Sequence, residues 1–104
     1  MYFHGRGVGH DEIQAARWIR RAAMNNEPVA QFLMGRIYET GFSVRSDPIE
    51  AYKWYALSAR LADAVIAYDP RFKPGAAMER LAKTMNRSQI EAATRAVADW
   101  RPAS

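Results

Sequence analysis

The fold is decided by "YETGFSVRSDPIEAYKW", residues 38–54, which repeats "YFHGRGVGHDEIQAARW", residues 2–18, at an offset of 36 residues. Tyr2 pairs with Tyr38, Gly5 with Gly41, Val8 with Val44 and Asp11 with Asp47. Ile13 pairs with Ile49, Ala15 with Ala51, Trp18 with Trp54 and Ala23 with Ala59. A period of this length belongs to stacked helix-turn-helix units.

The chemistry around the repeat agrees. Asp47 can cap a helix, with Pro48 at the first helical position and Glu50 at the third. Asp11, followed by Glu12, Ile13 and Gln14, offers a similar device. After Asp47 the apolar residues Ala51, Trp54, Tyr55 and Leu57 recur at helical spacing. Ala15, Trp18, Ile19, Ala22 and Ala23 do so after Asp11. Between these segments Pro28 suits a helix start, and Ala30, Met34, Ile37 and Tyr38 form one stripe. Gly41 is expected to end that helix in the left-handed region.

Ala30, Met34, Gly35, Tyr38, Gly41, Val44, Asp47, Ala51, Trp54 and Ser58-Ala59 together resemble the Sel-one-like repeat, a tetratricopeptide-related helical hairpin. The earlier copy keeps Tyr2, Gly5, Gly7, Val8, Asp11, Ala15, Trp18 and Ala22-Ala23. The resemblance covers about residues 2–62. It implies an all-α fold: a short right-handed α-α solenoid of antiparallel hairpins. Residues 2–27 read as a partial first repeat lacking its opening helix, 28–62 as a complete second one, and 63–104 as a connection and capping helices. Asn26 stands where the family places a glycine, and Ser43 replaces a loop glycine.

Past Ala62 the repeat fades. "VIAYDPRFKPG", residues 65–75, reads as an extended connection. Ala77, Met78, Leu81, Ala82 and Met85 then share a helix face. Ser88 to Glu91 spells a capping box, followed by Ile90, Ala93, Val97 and Trp100 on one stripe. This closing pair resembles the C-terminal ends of many bacterial family members and should cap the stack.

Composition narrows the function. Of 104 residues, 49% are apolar and 25% charged, so the chain folds as a modest globular domain. Without cysteine there is no disulfide framework, thiolate nucleophile or cysteine zinc site. No apolar run is long enough to span a membrane. The net charge of +4 is spread along the chain, densest at Arg17, Arg20 and Arg21, which argues only weakly for nucleic acid. His4 and His10 match no metal spacing, and the second copy has Thr40 and Ser46 in their places. "GRGVG" lacks the lysine and preceding strand of a phosphate cradle. No catalytic residue, metal or cofactor is expected. A complete chain would be cytoplasmic; one that has lost an N-terminal segment would be periplasmic or secreted.

Function should therefore lie in what the copies do not share. Trp18 and Trp54, at matched positions, read as inter-helix core, and Tyr38 as core with its hydroxyl on a polar partner. Phe32, Arg36 and Glu39 fall opposite the stripe of their helix. The resemblance places these three on the concave surface, where related solenoids bind peptides or proteins. The expectation is a non-enzymatic adaptor. A nucleic-acid-associated protein and a fragment of a longer solenoid are the alternatives. The face around Trp18 and Ala22, left without an opening helix, is a candidate contact for a partner or a second copy.

Overall fold

The computed structural model describes residues 8–42 and 44–102. These form α1 (Val8–Met24), α2 (Pro28–Thr40), α3 (Pro48–Ala59), α4 (Ala62–Tyr68), α5 (Pro74–Ala82) and α6 (Arg87–Asp99), with no strand among the described residues. Tyr2, His4 and Gly5 lie outside them, as do the side chains of Val8, His10 and Asp11.

Local chemistry fixes the helix ends. Asn26 takes the left-handed conformation expected of the missing glycine, with φ of 71°. The Glu27 carboxylate then accepts from the Val29 N–H, and Pro28 opens α2. Gly41, with φ of 81°, donates its N–H to the Ile37 carbonyl and closes the helix. Asp47 caps α3, its Oδ1 accepting from the N–H groups of Ile49 and Glu50 at 3.0 and 3.3 Å. Its own N–H donates to the Tyr38 carbonyl at 2.9 Å, which ties the loop back to α2.

Three helix boundaries differ from the sequence reading. Asp11 does not cap α1; it lies inside a helix that starts at Val8. The second copy has Pro48 after its aspartate, and proline keeps the residue before it out of the helix. The first copy has Glu12 there, so nothing stops the helix from extending upstream. The stretch from Val65 is not extended throughout, because its first four residues complete α4. Val65 is fully buried and anchors that turn. Only Pro70 ends it, holding Asp69 extended at φ −152° and ψ 113°. The capping box of α6 is not Ser88–Glu91 but Asn86–Gln89, with reciprocal bonds of 2.8 and 2.9 Å. Both spellings satisfy the spacing rule. The earlier start adds half a turn and lets Glu91 pair with Arg87 instead.

Two apolar clusters hold the helices together. One joins α1, α2 and α3 through Ala23, Ala30, Met34, Ile37, Trp54 and Leu57, with Val97 and Trp100 packed against it. The other joins α2 and α3 to the C-terminal half through Phe32, Ala51, Tyr55, Val65, Ala77, Leu81, Met85 and Ala93. Helix α3 feeds both, so it is the spine of the molecule. Helix α2 is also buried on two sides. Even Gln31 is enclosed, its amide donating to the Ala23 carbonyl and to Asn26 Oδ1. Gly35 allows the closest approach: a Cβ there would lie 2.5 to 2.9 Å from carbons of the Tyr55 ring.

Trp18 departs from the expectation of a core residue. Trp54 is 3% exposed, but Trp18 is 67% exposed. Trp54 packs on α2, the opening helix of its own hairpin, and edge-on against Trp100. No described helix precedes α1 to do the same for Trp18. Tyr38 is half-buried against both clusters and accepts a bond from Arg20 Nη1 at 3.2 Å.

Candidate functional site

A groove of about 810 Å³ runs between α2 and the C-terminal half. Helix α2 supplies Phe32, Arg36, Glu39 and Thr40, residues at helical spacing along one face. The opposite wall is the segment Arg71-Phe72-Lys73 together with Ala76, Ala77 and Arg80 of α5; Tyr55 of α3 closes the base. The wall is set by two prolines. Pro70 ends the turn before it, and Pro74 begins α5 after it while holding Lys73 extended at φ −121°.

The base is aromatic. Phe72 stacks on Phe32 with ring centroids 4.7 Å apart, and Phe32 leans on Tyr55 at 5.2 Å. Phe32 itself is only 5% exposed, so it supports the surface from beneath. The side of α2 opposite the stripe is therefore itself partly buried at Phe32. Folding the C-terminal half over α2 gives that helix a second buried face, and Phe32 lies on it. Half-buried Phe72 is the more accessible aromatic ring of the groove lining. The Arg36 guanidinium sits over its ring, 5.7 Å from the centroid.

Charge in the groove is organised around Glu39. Tyr55 donates its hydroxyl to Glu39 Oε1 at 2.7 Å. Arg80 donates to Oε1 at 2.7 Å and to Oε2 at 3.2 Å, a two-pronged pair linking α2 to α5. Burial alone would raise the Glu39 carboxyl. The bonds from Arg80 and Tyr55, with the charges of Arg80 and Arg36, outweigh it and hold the group below its ordinary value. Burial and the adjoining carboxylate push the Tyr55 phenol well above its usual range, and Arg80 is raised by its own bond to Glu39. At the mouth, Asp69 accepts from the side chain and backbone of Arg71, which brings its carboxyl down to about 2. At neutral pH Glu39 and Asp69 are therefore ionised and the Tyr55 phenol keeps its proton.

Phe32, Arg36 and Glu39, singled out from the sequence, all line this one groove. Sequence reasoning missed Tyr55, Arg71, Phe72, Lys73 and Arg80. The signal for the wall was there in part: an arginine, an aromatic and a lysine held between two prolines. Arg80 carried no signal, since it meets Glu39 only through tertiary packing. Among the described residues no group of three or more His, Asp or Glu side chains could hold a metal ion, and no helix is long and apolar enough to cross a membrane.

Paired helices with left-handed residues at their turns, stacked on a shared spine and bearing a lateral groove, define an α-helical repeat protein. The family model for the Sel1 repeat matches residues 1–27 and 28–63, and the chain belongs to this family. No curated protein and no solved structure matches it. Sel1 repeats are in general protein-interaction and scaffold modules, typically without catalysis.

Proposed function

We propose that the chain is a non-enzymatic adaptor that binds a protein or peptide in the groove between α2 and α5. One observation carries the reading. Arg36 and Glu39, picked out by their place on the repeat, meet Phe72 and Arg80 from a part of the chain outside the repeats, in a single concave surface. An accessible aromatic beside arginines is the composition that concentrates binding energy at interfaces. The surface is held by the Phe32–Phe72 stack and the Glu39–Arg80 pair, so little ordering cost remains when a ligand arrives.

The test is an unbiased peptide-display selection on the wild-type chain. Selected peptides are then measured against Arg36→Ala combined with Phe72→Ala, with the unfolding temperature followed in parallel. Loss of about tenfold or more in affinity by a folded variant supports the groove. Peptides that bind wild type and folded variant alike would refute it.

A further inference from the structure

We infer that the groove takes an acidic peptide, one whose carboxylate side chains flank an aromatic or branched apolar residue. This rests on the groove being the binding surface. Its lining holds four cations, Arg36, Arg71, Lys73 and Arg80, against one carboxylate, Glu39. Two of the four are already satisfied. Arg80 is paired with Glu39, and Arg71 with Asp69 just outside the lining. Arg36 and Lys73 make no ion pair with any described residue; Arg36 comes from α2 and sits over the Phe72 ring, and Lys73 comes from the opposite wall, next to Phe72 in the chain.

This asymmetry selects the ligand. In the free protein water solvates Arg36 and Lys73 at little cost. A ligand seated over Phe72 strips that water, and a buried charge left without a partner is costly. Carboxylates on the ligand restore the balance; amides restore part of it, and ammonium groups worsen it. Glu39 does not invite a basic ligand, because Tyr55 and Arg80 already occupy both its oxygens. The half-buried ring of Phe72 and the exposed methyl of Ala76 offer apolar surface beside these charges for an apolar residue. A nucleic acid is less well served. Strand binding draws on many phosphate contacts, and only two cations here are unpaired. Arg17, Arg20 and Arg21 belong to α1 and do not line the groove.

Fluorescence anisotropy with end-capped, labelled Glu-Glu-Trp-Glu-Glu tests the inference. It is compared with Gln-Gln-Trp-Gln-Gln and with a single-stranded DNA oligonucleotide. Each probe is titrated against wild type, Arg36→Ala/Lys73→Ala, and Arg87→Ala as a control at an exposed position of α6. The glutamate peptide should bind wild type about tenfold more tightly than the glutamine peptide. The double variant should lose that factor and stop distinguishing the two peptides, with Arg87→Ala unchanged. Equal binding of both peptides to wild type would overturn the inference. So would discrimination that survives in the double variant, tighter binding of the oligonucleotide, or no binding of the glutamate peptide. The groove reading is judged separately: display peptides that need Arg36 and Phe72 but carry no excess of acid would keep the groove and discard the acidic ligand.

Discussion

Trp18 and Trp54 occupy the same place in two copies of one repeat, and the fold treats them differently. Trp54 is enclosed by α2 and edge-packed by Trp100 at 6.1 Å, with Lys53 over its ring. Trp18 is two-thirds exposed and meets the Arg21 guanidinium at 5.5 Å. The helices carrying them are alike; their surroundings are not. In a stacked repeat each unit contributes half of its neighbour's core, so burial belongs to the layer and not to the residue. The comparison also explains where the groove lies. The second hairpin is covered on both sides, and the cover on its C-terminal side supplies the second wall.

The largest effect should come from truncating the enclosed member. Trp54→Ala is expected to cost about 3–5 kcal/mol, as for other large core aromatics. The same change at Trp18 should stay near the surface range. Urea unfolding of the two variants, monitored by far-UV circular dichroism, checks the contrast. Trp54 Nε1 has no hydrogen-bond partner. Trp54→Phe should therefore be much milder than Trp54→Ala, since it sheds a buried donor along with some volume. Equal losses at Trp18 and Trp54 on truncation to alanine would break the comparison.

A second test sharpens the role of α3 as spine. Gly35→Ala pushes a methyl group into the Tyr55 ring, which is fully buried. Overpacking of this kind costs about 1–3 kcal/mol. Tyr55 also reaches Glu39. The variant should therefore weaken peptide binding as well as stability, provided the groove is the binding surface. A Gly35→Ala protein of wild-type stability would show that the α2–α3 contact gives way more easily than the packing implies.

Most of the fold was legible because repeats write their instructions locally. Asn26, Gly41, Asp47 and Pro48 each act within a few residues of themselves, and each does what its chemistry suggests. The misreadings arose where two local rules fit equally, as with the two capping boxes near α6, or where a missing breaker mattered, as at Glu12. The site was half legible. Helical spacing put Arg36 and Glu39 opposite the core stripe, and the resemblance put that side at the groove. Phe32 shared that face but turned out to be core, because the second burial of α2 is imposed by residues after Ala62. Phe72, Lys73 and Arg80 reach the groove only through that long-range packing, which no periodicity encodes.

The Glu39–Arg80 pair, the charged tie between the second hairpin and its cover, should show a smaller effect with a defined pH dependence. The Glu39 carboxyl is depressed in the folded chain relative to its ordinary value of 4.5. Its stabilisation is therefore complete above that pH and is lost as pH falls through the lower folded value. Glu39→Gln should cost at most about 1 kcal/mol at pH 7, because the pair is partly exposed. The gap between wild type and variant should close under acid, where the protonated carboxyl resembles the amide. Unfolding curves at pH 7 and at successive values below 4.5 read this directly. A gap that widens on acidification would mean that Glu39 is not held ionised by Arg80 and Tyr55.

The smallest effect belongs to Trp18. Its exchange for phenylalanine should leave stability within about 0.5 kcal/mol of wild type, the usual range for surface positions away from a cap or a buried network. The sensitive readout is optical. Of the three tryptophans, Trp54 is enclosed, Trp100 is half-buried, and Trp18 faces solvent. Acrylamide should quench the Trp18 contribution first, and Trp18→Phe should remove most of the easily quenched emission and shift the remainder to shorter wavelength. Strong protection of Trp18 in dilute wild-type protein would contradict the exposed face of α1, and with it the contrast between Trp18 and Trp54.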